Sequence, residues 1–391
     1  MLHRIFIFLA LFIVIPDIYI YKMFITRLDI SAIIRWGYFI PSLLLLAGLV
    51  YLAFLAEDTI MTEKSQLVGW FIFAYMLFML PKLFFFVSSI FDLPIKYIFK
   101  WHVMPFSYLG ILLAVIWVGI LIYGAAWGKT KFDIRNVLYT SPHIPAGFQG
   151  YKIVQISDIH IGSWQGNEEA MAKAVKLINE QHADLVVFTG DLVNHRADEL
   201  MGFEKILSSI KARDGVYSIL GNHDYGPYYH WDNPRAQAEN LIRLKQREAE
   251  MGWKLLNNEH TILHRGNDSI ALIGVENEGE PPFSQHGDLN KALNGVDTSS
   301  FKLLLSHNPS HWKREVLSQT DIDLMLAGHT HGMQLAFGQH SLSSLIYPQW
   351  RGMYKEGNRS LYVNVGLGFI GMPFRYGAWP EITVITLNRP Q

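Results

Sequence analysis

The sequence predicts an α-helical transmembrane region followed by an α/β domain with two packed mixed β-sheets flanked by helices. Four long apolar runs in the first 128 residues indicate the helical region, and short apolar strands alternating with amphipathic helices indicate the layered domain. Residues 1–128 contain only 14 charged side chains, whereas 13 of the 16 histidines follow residue 150. The chain of 391 residues therefore has two unlike parts.

The overall composition excludes several classes of protein. The 33 lysines and arginines nearly balance the 34 aspartates and glutamates, which argues against a general nucleic-acid coat. The chain has no cysteine, so disulfides, zinc–thiolate sites and cysteine nucleophiles are excluded.

The apolar runs have the length of membrane spans, and they cover residues 5–21, 37–55, 67–91 and 104–126. A spanning helix needs roughly 20 mostly apolar residues, which the last three runs provide. The first run is shorter and contains Pro16 and Asp17. Because no small-residue cleavage site follows it, we expect it to be retained. A buried soluble bundle is disfavoured because so apolar a run occurs four times.

One charged side chain lies in the middle of the third run. Lys82 follows Pro81, and no acidic residue lies in the same run. We expect its ammonium group to snorkel or to reach water through a proline kink; Asp17 is the alternative, as a partner across helices. The loop lysines and arginines divide equally between the two sides, so they do not predict the orientation in the membrane.

A segment rich in proline and glycine separates the two regions. We assign residues 1–128 to a four-span transmembrane region, 129–150 to a linker or edge segment, and 151–391 to the α/β domain. A fragment starting near Thr140 is expected to fold and to retain the functional site.

Apolar runs and helical periodicity place the elements of the α/β domain. Strands are predicted over 152–157, 184–189, 216–220, 269–275, 301–306, 323–327, 361–365 and 382–387, and helices over 167–181, 234–251 and 309–317. The later strands follow one another with less helix between them. This spacing predicts a second, partly antiparallel sheet packed on the first.

Polar groups follow five of these strands. They are Asp158-Ile159-His160, Gly190-Asp191, Gly221-Asn222-His223-Asp224, His307-Asn308 and Gly328-His329-Thr330-His331. Each group alone is weak, because such residues are also common in turns and caps. Ligands gather where the strands of such folds end, so the five groups together predict one site.

The residue types indicate a metal site. Carboxylates with neutral imidazoles suit manganese, iron or zinc. Seven candidate ligands are too many for one ion but suit two ions that share a carboxylate, and two ions can clamp the attacking and leaving oxygens at phosphorus. Glycines before Asp191, Asn222 and His329 are expected to let the backbone turn sharply.

The blocks DIH, GD, GNHD, SH and GHTH, in this order, resemble the five signature blocks of the calcineurin-like metallophosphoesterases. The ending VGLGFIGMPFRYGAWPEITVITL resembles the tail of a membrane-linked bacterial phosphodiesterase branch of that superfamily. The resemblance covers about residues 145–391 and implies the α/β metallophosphoesterase fold. It is specific for the superfamily and much less so for the substrate.

The resemblance also implies roles for single residues. It assigns Asp158, His160 and His331 to the first metal, Asn222, His307 and His329 to the second, and Asp191 to both. It makes His223 the group that protonates the leaving oxygen or stabilises the transition state. Asp224 would orient His223, with a turn cap as the alternative.

Other side chains have two interpretations each. Arg375 either holds a substrate phosphate bidentately or pairs with Glu381. His195 and Asn194 either reach the substrate or are solvated loop residues, the latter being favoured. The cluster of Phe369, Met372, Phe374 and Trp379 either contacts acyl chains or is ordinary packing.

These observations predict a membrane-anchored, dinuclear-metal phosphohydrolase that cleaves a phosphodiester or pyrophosphate by attack of metal-bound hydroxide. The expected partners are the lipid bilayer and a phosphorylated small-molecule or lipid substrate, and lipids, including nucleotide-sugar lipids, are favoured because tethering raises their effective concentration. The alternatives are a metal-stabilised binding module at the membrane and a nuclease. Balanced charge argues against the nuclease, and few polar groups in the spans argue against a transporter.

Overall fold

The computed structural model describes residues 2–54, 65–100, 103–281 and 283–390, so Leu55, at the end of the second apolar run, lies outside the described residues. The chain forms two compact units. The helical unit comprises residues 1–126 with 371–373, and the α/β unit comprises residues 127–370 with 374–391.

The helical unit contains six described helices, which are α1 Leu2–Met23, α2 Ala32–Gly37, α3 Ile40–Ala53, α4 Ser65–Ile90, α5 Asp92–Tyr97 and α6 Pro105–Ala126. Four segments of the described chain are long and apolar enough to cross a membrane: Phe6–Arg27, Ala32–Ala53, Leu67–Tyr97 and Pro105–Thr130. The predicted four spans are therefore confirmed, and the first run is long enough despite Pro16. Only 11–22% of the most apolar stretch of each span is buried inside the protein, which leaves the rest at least partly open to lipid.

The favoured interpretation of Lys82 is wrong. Its Nζ lies 2.7 Å from Asp17 Oδ1 and 2.7 Å from Ser42 Oγ, and 4.4 Å from the centre of the Tyr38 ring. The ammonium group is therefore paired between helices instead of snorkelling, because a lone charge in this apolar environment would be costly.

The α/β unit contains fourteen described strands. They are β1 Asp133–Thr140, β2 Lys152–Ile156, β3 Leu185–Phe188, β4 Val216–Ser218, β5 Trp253–Leu255, β6 Glu259–Arg265, β7 Asp268–Gly274, β8 Phe301–Leu305, β9 Leu324–Ala327, β10 Ala336–Phe337, β11 His340–Ser341, β12 Gly352–Glu356, β13 Arg359–Val363 and β14 Glu381–Asn388. Its α-helices are α7 Glu168–Asn179, α8 Glu204–Leu207, α9 Pro234–Glu250, α10 Leu289–Leu293 and α11 Leu317–Gln319.

Twelve of the strands form two mixed sheets, and β10 and β11 form a small hairpin. The first sheet has the order β1-β14-β2-β3-β4-β5, in which only the β14–β2 pair is antiparallel. The second has the order β12-β13-β9-β8-β7-β6, with antiparallel pairs at both edges and parallel strands between them. The predicted fold class, including the partly antiparallel second sheet, is confirmed.

Alternation along the strands builds the layers. In β3, Leu185 and Val187 join the apolar cluster that also contains Leu303 and Leu305 of β8. The intervening Val186 and Phe188 join the cluster that contains α7 residues. Because neighbouring side chains of a strand point to opposite faces, this pattern packs the sheets on each other and a helix on the outer face.

Some elements differ from the predicted ones. The helix expected over 309–317 is a π-helical turn, Trp312–Val316, followed by the short α11. The prediction missed β1, β5, β6 and β12, which are the edge strands of the two sheets and have partly exposed side chains, and it missed the hairpin of β10 and β11. Edge strands lack the continuous apolar run of a buried parallel strand, so their sequence signal is weaker.

Candidate metal centre

The polar loops meet at the carboxyl ends of the parallel strands. The loops after β2, β3, β8 and β9 carry the histidines and aspartates of two compact groups. One group contains Asp158, His160, Asp191 and His331, and the other contains Asp191, His307 and His329. In each group, the potential ligand atoms lie within 4.8 Å of one another. The structure thus brings together six predicted ligands, and Asp191 belongs to both groups.

Asp191 lies between the two groups. Its Oδ2 is 3.6 Å from Nε2 of His160 and 3.2 Å from Nε2 of His307. Its Oδ1 accepts a hydrogen bond of 2.8 Å from the backbone N–H of His223. This placement is the geometry that a carboxylate shared by two ions needs.

Asn222, the seventh predicted ligand, presents a free oxygen. Its Nδ2 donates to the hydroxyl of Tyr228 at 3.1 Å, which fixes the amide, and its Oδ1 is buried without a hydrogen-bond partner. Buried polar atoms normally have a partner, so the free oxygen fits a metal ligand. The residues present thus fit divalent cations: carboxylates, imidazoles and one amide oxygen.

Unusual backbone conformations concentrate at the same residues. Positive φ values occur at five predicted ligands: Asp158 (49°), His160 (47°), Asp191 (61°), His329 (73°) and His331 (49°). Side-chain-bearing residues rarely adopt this region, and such strain is typical of functional sites.

Two of the three predicted turn glycines, Gly221 and Gly328, are required because their surroundings leave no space for a side chain. A Cβ on Gly221 would lie 2.2 Å from Oδ1 of Asp191, and one on Gly328 would lie 2.0 Å from Oγ of Ser157. Only Gly190 has the positive φ, 93°, that the predicted sharp turn implies. At the other two positions, the loops pack too closely for any side chain.

Hydrogen bonds orient two of the imidazoles. Nδ1 of His307 lies 2.7 Å from the carbonyl oxygen of Thr189, and its Nε2 faces Asp191. Nε2 of His329 lies 2.9 Å from the hydroxyl of Tyr347, and its Nδ1 faces Nε2 of His307 at 3.3 Å. Such outer contacts fix which ring nitrogen is free to bind a metal.

The electrostatics of the cluster favour ionised carboxylates and mostly neutral imidazoles. Burial lowers the pKa of His160 well below its usual range and the pKa of His329 to about 3. Burial alone would raise the pKa of Asp191, but the charges of His307 and His223 hold it well below its usual value. Burial opposes protonation of His307, but Asp191 raises its pKa to about 9. Ionised carboxylates and neutral imidazoles are the forms that bind metals.

His223 lies at the edge of the cluster and is partly exposed. Its ring stands perpendicular to that of His160, with 4.8 Å between centroids. Its Nδ1 lies 2.8 Å from the carbonyl oxygen of Asn194. If Nδ1–H donates to this carbonyl, Nε2 is left to exchange a proton with a bound substrate.

The structure contradicts the predicted contact between Asp224 and His223. The Asp224 carboxylate is fully buried and accepts four backbone N–H bonds, from Asp191, Leu192, Val193 and Gly221, at 2.8–3.2 Å. It therefore holds the loop after β3 against the loop after β4. This is the cap interpretation, extended to two loops, and the Asn194 carbonyl takes the role predicted for Asp224.

The structure also argues against both interpretations of Arg375. The side chain is fully buried and donates to the carbonyl oxygens of Gly368, Ala378 and Val365 at 2.6–2.8 Å. Its Nη2 also lies 3.1 Å from Nδ1 of His331. These contacts occupy both edges of the guanidinium group, so it cannot hold a phosphate bidentately, and Glu381 pairs with Arg135 instead.

The favoured interpretation of His195 and Asn194 as solvated is wrong. Asn194 is buried, and burial lowers the pKa of His195 to about 4. The His195 ring lies 6.2 Å from that of His223. Phe369 and Phe374 are buried too, so their side chains belong to the protein core and are closed to acyl chains. Sequence reasoning missed Tyr228, Phe283 and Tyr347 near the cluster, since aromatic residues in loops give no distinctive pattern.

Two family descriptions match this chain. Residues 151–333 match "Calcineurin-like phosphoesterase", and residues 3–129 match "Probable Calcineurin-like phosphoesterase, transmembrane domain". The chain is 31% identical over 289 residues to the uncharacterized metallophosphoesterase YkuE of Bacillus subtilis, and the match covers 69% of this chain and 92% of that protein.

Two further relatives are similar to this chain. A transmembrane protein with metallophosphoesterase domain from Danio rerio is 31% identical over 286 residues, which are 71% of this chain and 62% of that protein. The uncharacterized metallophosphoesterase Cj0846 of Campylobacter jejuni is 28% identical over 400 residues, with 99% of each chain covered.

The fold, the ligand cluster and these matches define a membrane-linked metal-dependent phosphoesterase. The chain belongs to the calcineurin-like phosphoesterase family. It is a multi-pass membrane protein and a phosphoester hydrolase, and its cluster indicates a dinuclear divalent-metal site.

Proposed function

We propose that this protein hydrolyses a phosphodiester or pyrophosphate bond of a lipid or nucleotide-sugar lipid, with two divalent ions bound at the cluster. The observation that carries the proposal is the position of Asp191, which belongs to both ligand groups. A site for a single structural ion would need neither a carboxylate that belongs to two ligand groups nor a second group of histidines.

Each predicted ligand has a role in this proposal. Asp158, His160 and His331 would hold one ion, and Asn222, His307 and His329 would hold the other. Asp191 would serve both. Bound ions would supply Lewis acidity at the phosphoryl oxygens and activate water near neutral pH.

His223 acts on the leaving group. The Asn194 carbonyl holds its Nδ1 and so fixes the orientation of the ring. The opposite nitrogen, Nε2, is then held in one direction. In the protonated form, Nε2 donates its proton to the departing ester oxygen. Asp224 positions the loops that carry Asp191 and His223, and Arg375 positions His331; neither touches the substrate.

The membrane region determines which substrates the site encounters. We assign residues 1–128 to the four-span region, 129–150 to the linker or edge segment and 151–391 to the catalytic domain. A site tethered to a bilayer meets lipid head groups at high effective concentration, which favours lipid-linked substrates over soluble ones.

Metal content tests the shared carboxylate. Full-length protein in detergent is expected to bind about two manganese ions, Asp191→Ala to lose most of both, and His331→Ala to lose about one, because only Asp191 serves both groups. Elemental analysis after removal of free metal gives the stoichiometry. His311→Ala is the matched control, since His311 is equally buried but bonds to Ser306 and Glu315 outside the cluster.

An unchanged stoichiometry in Asp191→Ala would contradict the assignment. The reaction is tested with the same preparations on bis-p-nitrophenyl phosphate, its monoester, phospholipids and pyrophospholipids. We expect hydrolysis of the diester and a preference for lipid substrates. Metal-loaded protein that cleaves none of them would contradict the proposed function.

A further inference from the structure

An open cavity of about 520 Å³ lies in the α/β unit beside the ligand cluster. Phe283, Pro309, Ile346, Tyr347 and Pro348 are among the residues that line it, and we call it the side groove. Cavities of roughly 300–1,000 Å³ are typical of small-ligand sites. The side groove can therefore accommodate one arm of a phosphoester.

Two walls of the side groove also contact a predicted metal ligand. The rings of Phe283 and Tyr347 meet the His329 imidazole edge to face, with centroid distances of 4.7 and 5.3 Å. The Tyr347 hydroxyl lies 2.9 Å from Nε2 of His329. The side groove therefore adjoins the cluster, because Phe283 and Tyr347 belong both to its walls and to the surroundings of His329.

The segment before Tyr347 exposes a concentration of large apolar side chains. Leu342 is 61% exposed, Leu345 81% and Ile346 61%, and Ile346 also lines the side groove. Isolated exposed apolar residues are common, but adjacent ones beside a ligand cavity mark a binding surface. Ile346 belongs both to this exposed apolar segment and to the wall of the groove.

The charges of the groove argue against an anionic arm. Arg314 donates to the Glu278 carboxylate and to the carbonyl oxygen of Gly279, so its charge is already compensated. The other two charged lining residues, Glu280 and Lys313, are of opposite sign. A groove for a second phosphate or a nucleotide would need an excess of positive charge.

We infer that the side groove binds the hydrocarbon arm of an amphiphilic phosphoester whose phosphorus lies at the ligand cluster. This inference rests on the proposed function and specifies its substrate class: one ester substituent is an alkyl or acyl chain. Ile346 supplies apolar contact along the chain, and Leu342 and Leu345 extend that contact beyond the groove.

A homologous series of substrates tests the inference. Methyl, butyl, hexyl and octyl p-nitrophenyl phosphodiesters share one leaving group and differ only in the hydrocarbon arm. With full-length, manganese-loaded protein in non-ionic detergent, kcat/KM should rise with chain length, by up to about fourfold for each methylene that becomes buried. Ile346→Ser should lower the octyl-to-methyl ratio of kcat/KM several-fold, through KM.

The matched control is Ile242→Ser. Ile242 is 64% exposed, close to the 61% of Ile346, but it lies on α9 and does not line the groove. This variant should keep the wild-type ratio, and it corrects for partition of the alkyl chains into detergent.

Four results would overturn the inference. Hydrolysis with no dependence on chain length would reject the groove and leave the proposed function intact. Equal octyl-to-methyl ratios in Ile346→Ser and Ile242→Ser would also reject the groove alone. A preference for a nucleoside arm that is lost in Lys313→Ala would have the same consequence. Metal-loaded protein that hydrolyses no member of the series would instead reject the proposed function, and the inference with it.

Discussion

His223 is held by a backbone carbonyl, and this contact shapes what its imidazole can do. The Asn194 carbonyl oxygen lies 2.8 Å from Nδ1 and belongs to the loop after β3, the same loop that carries Asp191. Asp224 fastens that loop to Gly221 through four backbone N–H groups. The orientation of the proposed proton donor and the position of the shared carboxylate therefore depend on one buried side chain.

Replacing His223 by alanine should separate catalysis from metal binding. His223 is not among the predicted ligands, so the variant should keep two ions by elemental analysis. Hydrolysis should fall by roughly 10²–10⁴-fold for an ester with a poor leaving group, as for the loss of a general acid. The loss should be smaller for p-nitrophenyl esters, whose leaving group needs less protonation.

The control for this experiment is His195→Ala, which removes the neighbouring imidazole 6.2 Å away. Because His195 is not the proposed proton donor, any loss of activity in His195→Ala should be the same for good and poor leaving groups. If His223→Ala loses equal activity on esters with good and poor leaving groups, His223 is not the proton donor. Electrostatic stabilisation of the transition state would then be its only role.

The ion pair of Lys82 and Asp17 joins two spans. Lys82 lies on α4 and Asp17 on α1, and Asp17 also accepts a hydrogen bond of 2.9 Å from the Tyr38 hydroxyl. Side-chain exposure is 17% for Lys82 and 4% for Asp17. Both charges are therefore largely removed from solvent, and each depends on the other for compensation.

Removing one charge of this pair should destabilise the protein more than removing both charges. Lys82→Met leaves the Asp17 carboxylate without its cation and should destabilise the protein by roughly 3–5 kcal/mol, whereas Asp17→Asn with Lys82→Met should recover much of that loss. Thermal unfolding in detergent measures the difference. Lys22→Met, which removes an exposed lysine of α1, is the control. Equal destabilisation in the single and double variants would show that the pair is not coupled.

The sequence was informative for some elements more than for others. The buried strands β2, β3, β8 and β9 were predicted to within two residues, because buried parallel strands are continuous apolar runs. The prediction also identified the loops that carry the ligands. It could not identify the Asn194 carbonyl or the partners of Asp224, because backbone acceptors and donors have no sequence signature and depend on how two loops pack.

Strand β1 determines where the α/β unit can be separated from the membrane spans. All eight residues of β1 pair in parallel with β14, from Asp133 opposite Glu381 to Thr140 opposite Asn388. Arg135 Nε lies 3.1 Å from the fully buried Glu381 carboxylate. A fragment starting near Thr140 would lose this strand and leave both an unpaired edge on β14 and a buried carboxylate without its cation.

We therefore predict that a fragment starting at Gly128 folds, binds metal and hydrolyses bis-p-nitrophenyl phosphate at close to the full-length rate, because every predicted ligand lies in the α/β unit. A fragment starting at Thr140 should unfold at a lower temperature. A Gly128 fragment carrying Arg135→Ala separates loss of the ion pair from loss of the strand, and its stability should lie between the two.

The same Gly128 fragment tests what the spans contribute. Activity on a bilayer-embedded lipid should fall much more than activity on the small diester, because the spans supply effective concentration and no ligand of the cluster. Rates on both substrates, measured with fragment and full-length protein at equal metal loading, give the comparison. A folded, metal-loaded fragment that cannot cleave the small diester would show that the membrane region completes the active site, and an equal fall on both substrates would remove tethering as the basis of lipid preference.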